Sequence, residues 1–287
     1  MSHRRPLKGI VDFTAHFSRL PAWMVWGLLL AATALVAWLW DSVRVGLGFG
    51  LLVVGDGVML AALPRFERSF GPFHLPLLSL TVLRLALVWL AWLADAPWSL
   101  PTLGLVQVGL SLAATYACWI EPARLGVTRI TLRSSRLNGC PPLRLLHISD
   151  LHVERITARE RRLLRLVEQL SPDVIVVTGD YLNISFTHDA MAQRQTRELL
   201  SQLHAPGGVY AIKGSPPVDP PEVVARLMQG LDVTWLRDRA TSLLWHGCRL
   251  QIVGAECSYD VEADERKLRH LLDGRAADAF TLLLYHT

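Results

Sequence analysis

Two short stretches hold side chains that could do chemistry together. In the first, LRLLHISDLHVE at 143–154, an apolar run ends in Ser149-Asp150-Leu151-His152. Asp150 and His152 lie two residues apart, so an extended backbone points both side chains the same way. A carboxylate beside an imidazole can chelate a divalent metal. In the second, an apolar run at 174–178 ends in Gly179-Asp180-Tyr181-Leu182-Asn183. Two apolar strands about a helix apart, each ending in Asp, bring two carboxylates to one edge of a sheet. A strand-end Asp can also be a turn or capping residue. Two of them in one sheet, however, repel unless a cation lies between them.

D-x-H followed by G-D-x-x-[DN] resembles the calcineurin-like metallophosphoesterase family, in particular its bacterial branch with membrane-attached members. The resemblance covers residues 127–287. It implies an α/β/β/α sandwich of two sheets flanked by helices, with metals at the carboxyl ends of the central strands. It implies two divalent ions, drawn from Mn, Fe or Zn. Asp150 and His152 would bind the first, Asp180 would bridge, and His286, closing LLLYH, would hold the second. Asn183 and Ser215 would support these ligands from behind. The reaction implied is hydrolysis of a phosphate mono- or diester by metal-activated water. No side chain is assigned as a catalytic acid.

Two departures from the family pattern bear on activity. Where G-N-H-[DE] is expected, the chain reads Gly214-Ser215-Pro216-Pro217-Val218-Asp219. Ser215 replaces a metal-binding asparagine, and Pro216 replaces a histidine that would protonate the leaving group. Loss of a general acid costs roughly 10²–10⁴ in rate. Asp219 could substitute only if the loop refolds. The G-H-x-H motif is also absent, so the domain at 143–287 is expected to be truncated. A second function therefore stands beside the hydrolase: a pseudo-phosphoesterase serving as a membrane-tethered binding or scaffold domain.

The elements that must position these residues follow from periodicity. Residues 127–137 alternate and predict an entry strand. Thr157-Ala158-Arg159-Glu160 is a capping box opening a helix to about Leu170. Leu163, Leu164, Val167 and Leu170 share one face, with Arg159, Arg161, Arg162 and Arg165 on the rest as a solvated face. The β–α–β unit predicts a parallel, right-handed crossover. A helix at 189–203, a strand at 209–213 and a helix opened by Pro220-Pro221 and reaching Met228 follow. Then come strands at 232–236, 242–246 and 249–254, a helix near 262–273 and a last strand at 280–285. His147 points away from Asp150 and is assigned to the core.

The 287-residue chain is 51% hydrophobic, with a net charge of only +4 and a mean hydropathy of +0.30. The apolar excess sits before residue 121, and the small net charge gives no reason to expect nucleic acid. Apolar runs at 22–40, 45–63, 74–94 and 100–120 each approach the ~20 residues of a transmembrane helix. The organisation expected is a cytoplasmic segment at 1–21, four transmembrane helices at 22–120, a linker and entry strand at 121–142, and the metallophosphoesterase-like domain at 143–287.

Trp23, Trp26, Trp38 and Trp40 bracket the first span, and Trp89, Trp92 and Trp98 crowd the end of the third. Arg4, Arg5, Lys8 and Arg19 precede the first span, Arg65 and Arg68 lie in the second loop, and Arg124, Arg129, Arg133 and Arg136 follow the fourth. Asp41 and Arg44 occupy the first loop, and Asp95 alone the third. This alternation predicts a multi-pass protein of the bacterial inner membrane with its C-terminal half in the cytoplasm. A twin-arginine export signal at Arg4-Arg5 is the competing reading; Pro6 follows the pair and the apolar core begins many residues later. A domain so tethered would meet the lipid bilayer and, by proximity, a lipid-linked phosphate ester.

Asp56 and Arg84 fall inside spans, where charges are paired or functional; a structural pair is weighed against a role in transport or sensing. The glycines at 46, 48, 50, 55 and 57 suit close helix packing. Cys118, Cys140, Cys248 and Cys257 show no C-x-x-C spacing and are expected as reduced thiols.

Overall fold

The computed structural model describes residues 20–94 and 99–287. Arg4, Arg5, Pro6, Lys8, Arg19, Asp95 and Trp98, used above for topology, lie outside them. The chain divides after Arg124 into two compact units.

The first unit is helical: α1 (Ala22–Leu39), α2 (Val43–Ala62), α3 (His74–Ala94) and α4 (Ser99–Thr115), the last continuing through a π-helical turn at Tyr116–Ile120. Among the described residues, four helical stretches are long and apolar enough to cross a membrane. Trp23 and Trp38, near the two ends of α1, are 74% and 77% exposed, as side chains of an interfacial belt would be.

Two of the five glycines explain the α1–α2 pairing. A Cβ at Gly46 would lie 2.5 Å from the Ala37 Cβ, and one at Gly50 would lie 3.0 Å from Thr33. Gly48 and Gly55 face open space.

Asp56 and Arg84 pair directly. Arg84 Nη2 donates to Asp56 Oδ2 at 2.7 Å, and Nε donates to the same oxygen at 3.0 Å. Arg84 Nη1 donates to the Gln107 backbone oxygen and to Gln107 Oε1, both at 2.7 Å. Ser111 accepts from Arg84 Nη2 and donates to Asp56 Oδ1. One arginine, fully buried, thus links α2, α3 and α4. A charge in an apolar bundle must find such partners or neutralise.

The second unit holds two sheets. The first contains β1 (Leu145–Ile148), β2 (Val174–Val177), β3 (Val209–Ala211) and β4 (Thr234–Trp235), all parallel, in that order. The crossovers are α5 (Ala158–Leu170), α6 (Ala190–Ser201) and α7 (Pro221–Met228). The second sheet contains β5 (Arg239–Trp245), β6 (Cys248–Ala255) and β7 (Phe280–Tyr285), with α8 (Val261–Asp273) packed on β6. β5 and β6 are antiparallel, joined through His246-Gly247 with both residues at positive φ, as a two-residue hairpin requires. β7, which follows α8, joins β6 in parallel.

Alternation along β2 shows how the layers form. Ile175 and Val177 join the core under α5, α6 and α7, packing with Val167, Leu199 and Leu227. Val174 and Val176 point to the other face and meet Ile252 and Leu284 of the second sheet. Gly254 lets the sheets approach, since a Cβ there would lie 2.3 Å from the Leu236 Cβ. The result is the helix–sheet–sheet–helix order of the sandwich. Every parallel strand ends on the same side, so the loops after β1, β2 and β3 share one rim.

Three expectations are corrected. Residues 127–137 form no strand: the backbone is irregular to Ser134, with a 3₁₀ turn at Ser135–Leu137. The alternation exists, but no described strand lies alongside to take its hydrogen bonds. His147 is exposed rather than core, because β1 is an edge strand; its Nε2 lies 2.8 Å from Thr178 Oγ1. Cys140 and Cys248 are not reduced thiols but a disulfide, with Cα atoms 6.0 Å apart; Cys118 and Cys257 are free.

That bridge spans 108 residues of sequence. Chain-entropy arguments give a crosslink of this length up to about 4–5 kcal/mol, and measured bridges usually give 2–4. Cys140→Ser is therefore expected to lower the melting temperature of the detergent-solubilised chain, and dithiothreitol to lower the wild type but not the variant. Equal melting of all four samples would show that the bridge constrains nothing.

Candidate metal centre

The two motif loops run side by side beyond their strands. The Asp150 N–H donates to the Gly179 carbonyl, His152 N–H to the Asp180 carbonyl at 2.9 Å, and Val153 N–H to the Tyr181 carbonyl at 2.9 Å. Asn183 N–H returns a bond to the Val153 carbonyl. This ladder brings Asp150 and His152 opposite Asp180.

Strand alternation is not what aligns Asp150 with His152. β1 stops at Ile148, and Asp150, His152 and Asp180 all adopt left-handed backbone, with φ of 55°, 42° and 52°. That conformation is uncommon for residues with a Cβ, and it gathers at functional sites where the surroundings hold it. Asp150 and His152 do come together, but through left-handed turns rather than the extended backbone the spacing argument assumed.

Among the described residues, Asp150, His152 and Asp180 bring ligand atoms within 4.8 Å of one another. His152 Nε2 lies 3.7 Å from Asp150 Oδ1 and 3.7 Å from Asp180 Oδ2. His286, following β7, places its Nε2 3.5 Å from the same Asp180 Oδ2. These gaps are long for hydrogen bonds. They suit donors around a common cation, where two ligands about 2.1 Å from a tetrahedral ion lie roughly 3.4 Å apart. Imidazole and carboxylate are also the donor types such ions take, so the residues present fit a divalent metal.

Asp180 is held from behind. Its Oδ1 accepts from the Ser215 N–H and from the Ser215 hydroxyl, both at 2.8 Å. Ser215 thus spends its hydroxyl on the carboxylate. The neighbouring Tyr259, itself left-handed at φ 61°, sets its phenol against Ser215. Asn183 stands further off, capping the next turn through Ser185 N–H and donating to Glu154 Oε1.

Two residues take roles that the sequence reading did not assign. Arg159, assigned to a solvated face, donates to the carbonyls of Leu151 and His152 and supports the motif loop. Asp219 is 1% exposed and accepts from three backbone N–H groups: Asp180 at 2.7 Å, Gly214 at 2.9 Å and Tyr181 at 3.1 Å. Burial pushes its carboxyl up to about 6, and the nearby Asp180 adds to this against the three donors. The signal for Asp219 was weak, because its partners lie 38 and 39 residues earlier.

Residues 143–215 match the family model of calcineurin-like phosphoesterases. Over these 73 of its 287 residues, the chain is similar to that family. Two curated proteins resemble it. One is the UDP-2,3-diacylglucosamine pyrophosphatase LpxG of Chlamydia trachomatis, 33% identical over 127 residues, covering 38% of this chain and 37% of the relative. The other is the protein of the same name from Chlamydia muridarum, 33% identical over 121 residues, covering 38% of this chain and 35% of the relative. The chain spans little more than a third of the length of these relatives. The phosphoesterase match contains Asp150, His152, Asp180 and Ser215, and His286 lies outside it.

Proposed function

We propose that this chain is a membrane-anchored, metal-dependent phosphoesterase. One observation carries the reading: Asp150, His152 and Asp180 converge at the carboxyl ends of adjacent parallel strands within the stretch that is similar to calcineurin-like phosphoesterases. Asp150, His152 and Asp180 hold one divalent cation, and Asp180 with His286 contributes to a second. Manganese, iron and zinc all suit this mixed carboxylate and imidazole set. Bound cations would neutralise the phosphate and lower the pKa of an attacking water. The chain's own part is to aim the ligands at one point, with Ser215 holding Oδ1 of Asp180 so that Oδ2 faces the two imidazoles.

The substrate class follows from two supports. The relatives are named for a diphosphate-linked diacyl sugar nucleotide, and four apolar helices precede the domain in the same chain. A lipid-linked phosphate ester or diphosphate is therefore the substrate proposed. The arginines after the fourth span support a cytoplasmic domain on the bacterial inner membrane. The Cys140–Cys248 bridge argues for an oxidising compartment instead. Alkylation of single exposed cysteines placed on α8, in intact cells, separates the two.

The full chain in detergent micelles is expected to hydrolyse an aryl phosphate ester with added Mn²⁺ and to stop when EDTA is added. Turnover unaffected by EDTA would sink the metal reading. A pseudo-phosphoesterase is the second reading, favoured by Pro216 at the place of a proton donor and by Ser215 turned onto Asp180. Titration calorimetry showing bound Mn²⁺ with no turnover on either an aryl ester or a lipid diphosphate would select it.

A further inference from the structure

The loop at 214–219 departs from the family pattern, and its geometry gives it a different task. After β3 the chain turns at Gly214 directly against the turn after β2. A Cβ on Gly214 would lie 2.2 Å from the Asp180 nitrogen and 2.3 Å from Asp180 Oδ1; one on Gly179 would lie 2.0 Å from the Gly214 nitrogen. The two loops therefore cross backbone to backbone, and only glycine permits it. Such a crossing leaves several N–H groups pointing inward with no strand partner, and buried N–H groups must be paired.

Asp219 pairs them. Its Oδ2 takes the Asp180 and Gly214 N–H groups, one from each loop, and its Oδ1 takes that of Tyr181. The Val218 and Asp219 N–H groups bond back to the Ser215 carbonyl, closing 215–219 into a single turn. That same turn presents the Ser215 N–H and hydroxyl to Asp180 Oδ1. The backbone of Asp180 and one of its carboxylate oxygens are thus both fixed by one short segment. The other oxygen is left facing His152 and His286.

We infer that Asp219 is the positioning residue of the metal centre: it clamps the Gly179-Asp180 and Gly214-Ser215 turns together and so directs Asp180 Oδ2 at the cation. It touches neither metal nor substrate. The 214–219 stretch is then a built support rather than a decayed ligand loop. This inference rests on the metal-centre reading above.

The test measures Mn²⁺ binding to the full chain in detergent by calorimetry and by the electron paramagnetic resonance spectrum of the bound ion. Asp219→Asn keeps the size of the side chain but turns an NH₂ group toward an N–H donor. Val167→Ala, on the core-facing side of α5, serves as a control that lowers stability away from the site. Asp219→Asn is expected to weaken Mn²⁺ binding at least about tenfold and to change the spectrum, in the range seen when groups orienting a ligand are lost. Val167→Ala should lower the melting temperature and leave both readouts alone.

Wild-type affinity and spectrum in Asp219→Asn would overturn the inference, as would an equal loss of affinity in Val167→Ala. If Asp219→Asn does not fold, Ser215→Ala carries the test. It removes one of the two donors to Oδ1, should weaken Mn²⁺ binding several-fold, and overturns the inference if it does not. Asp180→Asn separates the two levels. Full Mn²⁺ affinity in that variant removes the metal centre itself, whereas its loss beside an unaffected Asp219→Asn removes only the clamp.

Discussion

Asp180→Asn is expected to abolish Mn²⁺ binding and metal-dependent ester hydrolysis while leaving the fold in place. The asparagine oxygen can still accept from Ser215 at the Oδ1 position, so the support at 214–219 survives. What disappears is the negative oxygen on which His152 and His286 converge. The loss should exceed the roughly 10–100-fold seen when only an outer partner of a ligand is removed, because Asp180 is the one side chain common to both ligand pairs. Calorimetry with Mn²⁺ and turnover of an aryl phosphate, beside a melting curve, read the three quantities separately. A variant that binds Mn²⁺ like the wild type would place the cation elsewhere.

Arg84→Ala is expected to unfold or disorder the helical unit. The substitution leaves Asp56 buried at 3% exposure with its charge uncompensated and Ser111 as its remaining side-chain partner among the described residues. Breaking a buried pair from one side costs about 3–5 kcal/mol, whereas replacing both partners with apolar residues of similar size is often neutral. Asp56→Leu combined with Arg84→Met should therefore melt above Arg84→Ala alone and close to the wild type. Thermal melts of the three proteins in one detergent decide it. If the double variant is as unstable as the single, the polar link supplies packing or specificity that apolar side chains do not replace.

Much of the organisation was legible because it rests on short-range pattern. The four apolar runs, the capping box at Thr157 and the strands at 174–178 and 280–285 are set by which residues must leave water and at what period. Asp150, His152 and Asp180 were legible for a similar reason, since each sits just past the end of an apolar strand. The failures share a cause as well. The stretch 127–137 has a strand's alternation, but a strand exists only where a neighbour accepts its hydrogen bonds. His147 looked like core because its face was read without knowing that β1 lies at a sheet edge. Cys140 and Cys248 carry no local signature of pairing and meet only when the second sheet folds back on the first.

From the residues alone came the membrane half, the parallel β–α–β unit and the identity of a carboxylate–imidazole group. Each follows from local hydrophobic period and from donor chemistry. Tertiary structure decided the rest: the left-handed turns that bring Asp150, His152 and Asp180 together, the Arg84 link across three helices, and the hydrogen bond from the Asp180 N–H to Asp219, 39 residues away in sequence. Those features depend on which strands and helices become neighbours. Neighbourhood is set by the packing of whole layers, and no window of a few residues contains that information.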